Sequence, residues 1–257
     1  AVLVLTFVLF IFLFYKYVSR EAELLKLKSN FVDSVSHTLK TPLTRISLLA
    51  ENIASDWVRD KEKQKSFLKT IIAESHKMND MINNMLNFSK IDAGKKHYDL
   101  KYDSIQTVVL SVISNYESYI RKLGFQLETE ISGAIPNIRI DREAVKLMMI
   151  NLLQNALKYT GETRYIKVCL EETKDAVLLS IEDRGFGITK KEQNKIFEKY
   201  YRTQSKRVRS LEGSGLGLYL VRDAMTAHGG EVLVESQVGK GSMFILVFPM
   251  SPGGMAE

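Results

Sequence analysis

The sequence predicts an α-helical hairpin followed by an α/β two-layer sandwich, in a chain of 257 residues. Between residues 24 and 88, apolar side chains recur at spacings of three and four, which is typical of long helices with one apolar side. Beyond residue 124, short stretches alternate apolar and polar residues as strands do, and their connections mix hairpins with long crossovers. Because such crossovers usually hold helices, the second part is predicted to be a sheet with helices on one face.

The first segment, residues 1–18, is almost entirely apolar. Eighteen helical residues span about 27 Å at about 1.5 Å each, close to the hydrocarbon thickness of about 30 Å. Tyr15 and Tyr17 fit an interfacial belt, and the basic residues Lys16 and Arg20 stand beside or just beyond them.

The alternatives for residues 1–18 are a buried helix or a signal peptide, and a signal peptide requires a basic start and a small-residue cleavage site. The segment has neither. We therefore expect the last transmembrane helix of a longer chain, in the inner (cytoplasmic) membrane, with the rest in the cytoplasm.

Residues 19–93 are predicted to form two helices joined by a short polar loop. The first covers residues 19–55 and is expected to bend at Pro42, since proline removes a backbone donor and crowds the preceding turn. The second runs from about Glu62 to Ile91. Such a hairpin has a narrow apolar seam on both arms, which it cannot bury alone, so we expect a homodimer that forms a four-helix bundle.

The overall composition argues against several classes of function. The chain carries 36 basic and 30 acidic residues, mixed throughout, with a formal net charge of +6. No basic run has interleaved aromatic residues, so we expect no nucleic-acid partner. The single cysteine, Cys169, excludes an intrachain disulfide and fits a reducing compartment. The four histidines are scattered and show no metal-ligand spacing.

The second domain is predicted to cover residues 104–250, after a linker at 94–103 and before a tail at 251–257. Its predicted helices are Ser104–Leu123 and Arg142–Tyr159. The predicted strands are Phe125–Ile131, Ile166–Leu170, Val177–Ile181, Val232–Glu235 and Met243–Phe248.

One of these helices carries polar side chains near one face. Asn151, Asn155 and Lys158 stand at helical spacing. Amide oxygens suit a hard divalent cation, and a lysine close by can meet phosphates. Taken alone, the same residues are equally compatible with the polar face of a surface helix.

Three glycine-containing segments follow. Asp183 comes after a strand-like run and precedes Gly185 and Gly187; such a carboxylate can accept a hydrogen bond from an exocyclic amine, and the glycines allow close approach to a flat base. Residues 213–218 open a helix, where exposed N–H groups and the helix dipole favour phosphate. Residues 239–242 precede the last strand. Each segment could be a simple turn, but together with the asparagine helix they predict a nucleotide site.

These segments, together with His37 in the helical stretch Ser36–Leu43, resemble those of the sensor histidine kinases. The resemblance covers Glu21 to Pro249. It implies a dimerisation and histidine-phosphotransfer hairpin, followed by an ATP-binding domain of the Bergerat type, which gyrase, Hsp90 and MutL share. It also implies ATP and Mg²⁺ as cofactors, and a response regulator receiver domain as a partner in trans.

The resemblance assigns roles to individual residues. Asn155 would be the Mg²⁺ ligand, with Asn151 beside it, Asp183 would bind the adenine amine, and residues 204–212 would form a lid over ATP. The other residues implied at the nucleotide are Lys158, Tyr159, Gly185, Gly187, Arg202, Gly213, Gly215, Leu216, Gly217 and Ser242.

His37 would be the phosphoacceptor, because a partly neutral imidazole can attack phosphorus and gives a labile phosphoramidate. Most relatives have an acidic residue next, where it can orient the ring and take up its proton, but here the residue is Thr38. Asp33, one helical turn earlier, could substitute in part. Thr41 matches the family position that orients water for dephosphorylation of the regulator.

Two other functions remain open at this point. A Bergerat-fold ATPase would use the nucleotide site but leaves the His37 hairpin unexplained. A phosphatase-biased or non-catalytic signalling relative would account for Thr38, although the complete nucleotide segments disfavour the non-catalytic form.

Overall fold

The structure, a computed structural model, describes residues 2–55, 57–58, 60–161, 163–203 and 215–250. The predicted tail, the whole predicted lid (residues 204–212) and Gly213 lie outside the described residues. Two compact units divide the chain, one formed mainly by residues 1–82 and the other beginning at Asn83.

The first unit is a helical hairpin, as predicted. Helix α1 (Val2–Ala54) is continuous through Pro42, and α2 (Lys61–Asp92) returns after a short loop. Asp60 caps α2, because its Oδ1 accepts a hydrogen bond from the Glu62 amide at 2.9 Å. An ion pair of 2.8 Å between Arg45 and Glu74 joins the two arms.

The start of α1 is apolar enough and long enough to cross a membrane. Within Val2–Leu27, the most apolar window of 18 residues has a mean hydropathy of 2.2, and none of that window is buried. The predicted transmembrane segment and the first arm of the hairpin therefore form one helix.

The second unit begins with the last residues of α2 and continues as an α/β sandwich. Its main sheet has the order β2-β4-β5-β7-β6, with β2 parallel to β4 and the other neighbours antiparallel. The strands are β2 (Gln126–Ile131), β4 (Tyr165–Glu172), β5 (Ala176–Asp183), β6 (Glu231–Gln237) and β7 (Gly241–Pro249).

Three helices cover one face of this sheet, which confirms the predicted two-layer arrangement. They are α3 (Ile105–Lys122), α4 (Arg142–Tyr159) and α6 (Gly217–Ala227), and their apolar sides form one core with the strands. Alternate residues of β5, such as Val177, Leu179 and Ile181, are buried in that core. Asp183 continues the alternation and is therefore drawn into the interior at the end of the strand.

Three short elements were not predicted. β1 (Lys101–Asp103) pairs with β3 (Ile138–Ile140) in a separate two-stranded sheet, and α5 (Lys190–Gln193) is a single turn. β1 lies inside the predicted linker, which is thus partly built into the second unit. Three-residue strands and one-turn helices are too short to show a periodic pattern.

Candidate active site

The candidate site lies where β5 ends, α4 ends and α6 begins. Asp183 is only 6% exposed, and its Oδ1 accepts a hydrogen bond from the Gly185 amide at 2.7 Å. Burial raises the pKa of the Asp183 carboxyl to about 6, although bonds from the Gly185 and Ser242 amides pull it down. The structure therefore offers one buried carboxylate that is largely ionised at neutral pH and able to accept from an amine.

ATP is expected to bind less tightly as the pH falls through about 6, where Asp183 takes up a proton. An ionised carboxylate accepts a stronger hydrogen bond than a neutral one, so we expect a loss of about fivefold in affinity between pH 7.5 and pH 5. Titration calorimetry with ATP, carried out on the wild type and on Asp183→Asn, measures this loss. Asp183→Asn is the control because protonation of the ATP phosphates affects both proteins equally. An equal pH dependence in the two proteins would contradict the role of Asp183.

The turn after Asp183 needs glycine for steric reasons. Gly187 has a φ of +67°, and a Cβ at this position would lie 2.0 Å from the Gln237 carbonyl oxygen. At Gly185, a Cβ would lie 2.2 Å from the Tyr159 carbonyl oxygen. The two glycines thus let this turn lie directly against the end of α4 and the end of β6, which leaves a bare backbone surface beside Asp183.

Helix α4 brings its predicted residues to the same region. Asn155 is half-buried, and its side chain has no hydrogen-bond partner among the residues that the structure describes. The Lys158 Nζ lies 2.8 Å from the Tyr159 hydroxyl and 4.4 Å from the centre of that ring. Burial raises the pKa of Tyr159, so its hydroxyl stays protonated. Asn155 and Lys158 fit the implied groups, an oxygen ligand for Mg²⁺ and a cation for phosphate.

Asn151 has a different environment from Asn155. It is 4% exposed, its Nδ2 donates to the Leu147 carbonyl at 2.9 Å, and its Oδ1 accepts from Asn84 Nδ2 at 3.2 Å. A Cβ on Gly217 would lie 2.7 Å from that same Oδ1. The Asn151 side chain therefore packs between α4, α2 and the start of α6.

Helix α6 begins at the predicted glycine-rich segment. Leu216 is fully buried at its N-cap, and Gly215 has a φ of +70° and lies against Tyr201 and Arg202. The N–H groups at this helix end and the positive end of its dipole favour a phosphate. The structure thus brings Arg202 next to the predicted phosphate segment.

Two hydroxyl groups near Asp183 complete the site. Ser242 is paired in register with Asp183, but its Oγ lies 2.9 Å from Ser236 Oγ, so within the described chain it is already hydrogen-bonded. Thr160 was not predicted; its Oγ1 is buried without a partner among the described residues, and Thr160 forms a bridge with Gly185. A buried hydroxyl in this state can bond a ligand, which fits a nucleotide beside Asp183.

The predicted phosphoacceptor segment lies in the first unit. His37 is within α1, although its side chain lies outside the described residues. Thr38 is only 4% exposed, whereas Asp33 and Thr41 are exposed. Asp33, one turn before His37, therefore stays a candidate proton acceptor on sequence position alone.

The end of α2, which belongs to the second unit, packs against Lys199, Tyr200 and Tyr219 of that unit, a contact that sequence reasoning missed. Phe88 is buried between the rings of Tyr200 and Tyr219, with centroid distances of 5.3 and 5.7 Å. Lys199 forms an ion pair with Asp92 at the last residue of the helix. Tyr200 has a φ of +65°, which is rare for a residue with a side chain and marks this contact as locally strained.

This fold and site define a nucleotide-binding domain of the Bergerat class, and comparison with known proteins agrees. Residues 140–252 match the family model of histidine kinase-, DNA gyrase B- and HSP90-like ATPases. Residues 27–94 match the His Kinase A phospho-acceptor domain. The chain belongs to the sensor histidine kinases, the ATP-dependent kinases of two-component systems.

Individual relatives support the assignment. The chain is 28% identical to the sensor histidine kinase WalK of Bacillus subtilis (strain 168), over 86% of this chain and 36% of WalK. It is also 28% identical to SenX3 of Mycolicibacterium smegmatis, over 91% of this chain and 60% of SenX3. The chain thus spans between about a third and three fifths of the length of these relatives.

Solved structures show the same fold. The catalytic domain of histidine kinase ThkA aligns with a TM-score of 0.53 and 28% identity, over 60% of this chain and 99% of that domain. Histidine kinase AdeS of Acinetobacter baumannii aligns with a TM-score of 0.59 at 21% identity, over 84% of this chain and 98% of AdeS. ThkA in complex with the response regulator TrrA aligns with a TM-score of 0.59 at 24% identity, over 90% of this chain and 64% of ThkA.

Proposed function

We propose that this chain is the kinase part of a membrane-bound sensor kinase. It binds ATP in the domain of residues 104–250, transfers the γ-phosphoryl group to His37, and passes it on to an aspartate of a separate response regulator. The observation that carries the proposal is the meeting of buried Asp183, half-buried Asn155 and the N-terminus of α6, which has no side-chain cap among the described residues, at one end of the sandwich. The match of residues 27–94 to a phospho-acceptor domain supports His37 as the acceptor.

Each residue at the nucleotide has a simple task in this reaction. The Asp183 carboxylate accepts from the adenine amine, and the N–H groups of α6 with Lys158 and Arg202 bind the phosphates. Asn155 would hold Mg²⁺, which neutralises charge on the phosphates when it is bound. Phosphoryl transfer asks a protein mainly for such positioning and charge stabilisation.

At the acceptor, a ring nitrogen of neutral His37 forms a bond to the γ-phosphorus while the bond to the bridging oxygen of ADP breaks. The imidazole must then lose the proton of its other nitrogen, or stay charged. Thr38 follows His37 directly and has no basic group to take that proton. We infer that proton removal limits the rate in this chain.

Thr38→Glu is expected to raise the rate of autophosphorylation by about tenfold, since a positioned acid–base group contributes about a hundredfold or more in favourable cases. We take the lower figure because position 38 is 4% exposed, so a carboxylate there is partly desolvated. The measurement is the initial rate of label uptake from γ-labelled ATP. Thr38→Gln is the matched control, equal in size but not basic; an equal gain with glutamine would contradict the explanation.

The remaining parts of the proposal concern partners and location. Exposed apolar side chains on the hairpin, including Leu43, Leu48, Leu68 and Ile72, support its pairing with a second copy as a four-helix bundle. The apolar helix Val2–Leu27 supports a single membrane span at the inner membrane, with the kinase part in the cytoplasm. The complex of ThkA with TrrA supports a response regulator as the substrate in trans.

A second activity, dephosphorylation of the regulator, is favoured by Thr41. It is exposed and lies one helical turn after His37, where its hydroxyl can orient a water molecule. This activity would share the hairpin surface with the transfer reaction.

Transfer is tested with the labelled, ATP-free chain and the purified receiver domains encoded in the same genome. Label that leaves the chain and appears on one receiver within seconds to minutes is the expected result. Replacement of that receiver's phosphoacceptor aspartate by asparagine is the control. Label that stays on the chain with every receiver would contradict the transfer step.

A further inference from the structure

The segment from Lys96 to Asp99, inside the predicted linker, is fixed at several points to the second unit. Lys96 Nζ donates to Asn87 Oδ1 at 2.8 Å and lies 5.2 Å from the centre of the Tyr98 ring. The Tyr98 hydroxyl donates to Asp223 Oδ2 on α6 at 2.9 Å. The Asp99 amide donates to Asp141 Oδ2, at the start of α4, at 3.0 Å. The segment is therefore attached to both helices of the nucleotide site.

His228 joins these attachments. It follows α6 directly, is 8% exposed, and lies edge-on to the Tyr98 and Phe248 rings. Its Nε2 accepts from the Asp141 amide at 2.9 Å, and its Nδ1 lies 2.6 Å from the Ala224 carbonyl oxygen. The Ala224 carbonyl oxygen can only accept a hydrogen bond, and the Asp141 backbone N–H can only donate one. These two partners therefore assign a neutral His228 ring with its proton on Nδ1.

Asp141 is the point where these bonds meet. Its Oδ1 caps α4 through the Glu143 and Ala144 amides, its Oδ2 receives the Asp99 amide, and its own amide bonds His228. The N-terminus of α4, the end of α6 and the linker are thus held by one residue.

We propose that Tyr98, Asp141 and His228 are positioning residues for phosphoryl transfer, which anchor the linker to the ATP-binding domain only while His228 is neutral. The kinetic part of this inference rests on the proposed kinase function. We call the three residues the linker anchor.

A second proton would break the anchor at a definite bond. That proton would bind to Nε2 of His228. Nε2 could then no longer accept the hydrogen bond from the Asp141 N–H, because both groups would be donors. Among the described residues, the charged or titratable groups around the ring are the Asp141 carboxylate at the N-cap of α4, the Tyr98 hydroxyl with Asp223 behind it, and Lys96 over the Tyr98 ring. Burial is the larger influence and lowers the pKa of His228, despite the opposing effects of its bond to Ala224 and of Asp141. The anchor is therefore closed at neutral pH and opens on acidification.

The anchor lies far from the nucleotide along both helices. Asp141 precedes α4 by one residue, about 20 Å from Asn155 at about 1.5 Å per residue. His228 follows α6 directly, about 16 Å from Gly217 on the same scale. Loss of the anchor should therefore leave KM for ATP unchanged.

The turnover should change because the linker becomes longer. With Tyr98 and Asp99 released, the first attachment of the chain after α2 to helices α4 and α6 is lost, so the connecting segment lengthens from residues 93–97 to residues 93–100, up to β1. Loop-closure entropy alone then lowers kcat for autophosphorylation about twofold. Without the anchor the ATP-binding domain is also less precisely oriented for transfer to His37, which lowers kcat further.

The test uses the whole chain and two readouts. Hydrogen exchange of the linker peptide, measured without ATP and corrected for the intrinsic effect of pH, reports the anchor itself. Tyr98→Phe should raise linker exchange at pH 7.5 and lower kcat at least about twofold with KM for ATP unchanged. Tyr102→Phe, at a 58% exposed tyrosine of β1, is the matched control and should change neither. Unchanged linker exchange in Tyr98→Phe, or a raised KM, would overturn the inference.

Measuring hydrogen exchange at different pH values shows whether the linker anchor depends on the protonation of His228 or is a permanent contact. Linker exchange in the wild type should rise between pH 7.5 and 5.5, and this rise should disappear in His228→Gln, whose amide oxygen can still accept but does not titrate. His76→Gln, at an exposed histidine of α2, should retain it. Constant protection in the wild type would overturn the proton dependence. A wild type that takes up no label would contradict the kinase proposal alone, because exchange is read without ATP.

Discussion

Asp183→Ala is expected to abolish measurable ATP binding. The wild-type carboxylate is 6% exposed and holds the Gly185 amide at 2.7 Å, so alanine removes the acceptor for the adenine amine and also releases the turn that lines the site. A hydrogen bond to a buried charge contributes about 1.5 to 3 kcal/mol, and the loss of the turn adds to it. Together they predict a loss of about a hundredfold or more in affinity.

Titration calorimetry with a non-hydrolysable ATP analogue measures this loss. Glu182→Ala is the matched control, because Glu182 precedes Asp183 on β5 and points to the opposite face of the sheet. Glu182→Ala should bind within about twofold of the wild type, since surface changes are usually below about 0.5 kcal/mol. Affinity close to the wild type in Asp183→Ala would show that the adenine lies elsewhere.

Asn155→Ala is expected to suppress phosphate uptake by about a hundredfold, because charge stabilisation by a bound Mg²⁺ amounts to several kcal/mol. The side chain of Asn155 is half-buried and has no partner among the described residues, so its loss should disturb the fold little. Label uptake at increasing Mg²⁺ is the measurement, and high Mg²⁺ should restore part of the rate.

The matched control for Asn155→Ala is Asn115→Ala, which makes the same change at an exposed position of α3. It should retain full activity. If Asn155→Ala kept the wild-type rate at low Mg²⁺, the metal would be held by other residues.

Most of the fold could be predicted because its longer elements have strong local signals. The bounds of α4 were predicted to the residue, since Asp141 is a good N-cap and an apolar repeat follows it. The strands of the main sheet alternate clearly; β4, β5, β6 and β7 are each three residues longer than predicted, and β2 is one residue shorter. β1 and β3 were missed because each is three residues long and exists only through its pairing with the other.

The site was predicted in its residue types more fully than in its contacts. The glycines at 185 and 187 were predicted to allow close approach to a flat base, whereas the contacts that the structure shows there are with the Tyr159 and Gln237 carbonyl oxygens. The partners of Asn151 and Ser242 could not be predicted, because Asn84 and Ser236 reach them only in the folded chain. The linker anchor was missed for the same reason, since its bonds join residues more than forty positions apart.

The central claim is that ATP bound by this chain phosphorylates His37. It is tested most directly by incubating the wild type, His37→Gln and the control His76→Gln with γ-labelled ATP and Mg²⁺ in parallel. The wild type and His76→Gln should take up label that is lost in acid and stable in base, as a phosphoramidate is. His37→Gln should take up none while it binds ATP with wild-type affinity. Label that persists in His37→Gln, or a wild type that binds Mg-ATP and takes up no label, would contradict the claim.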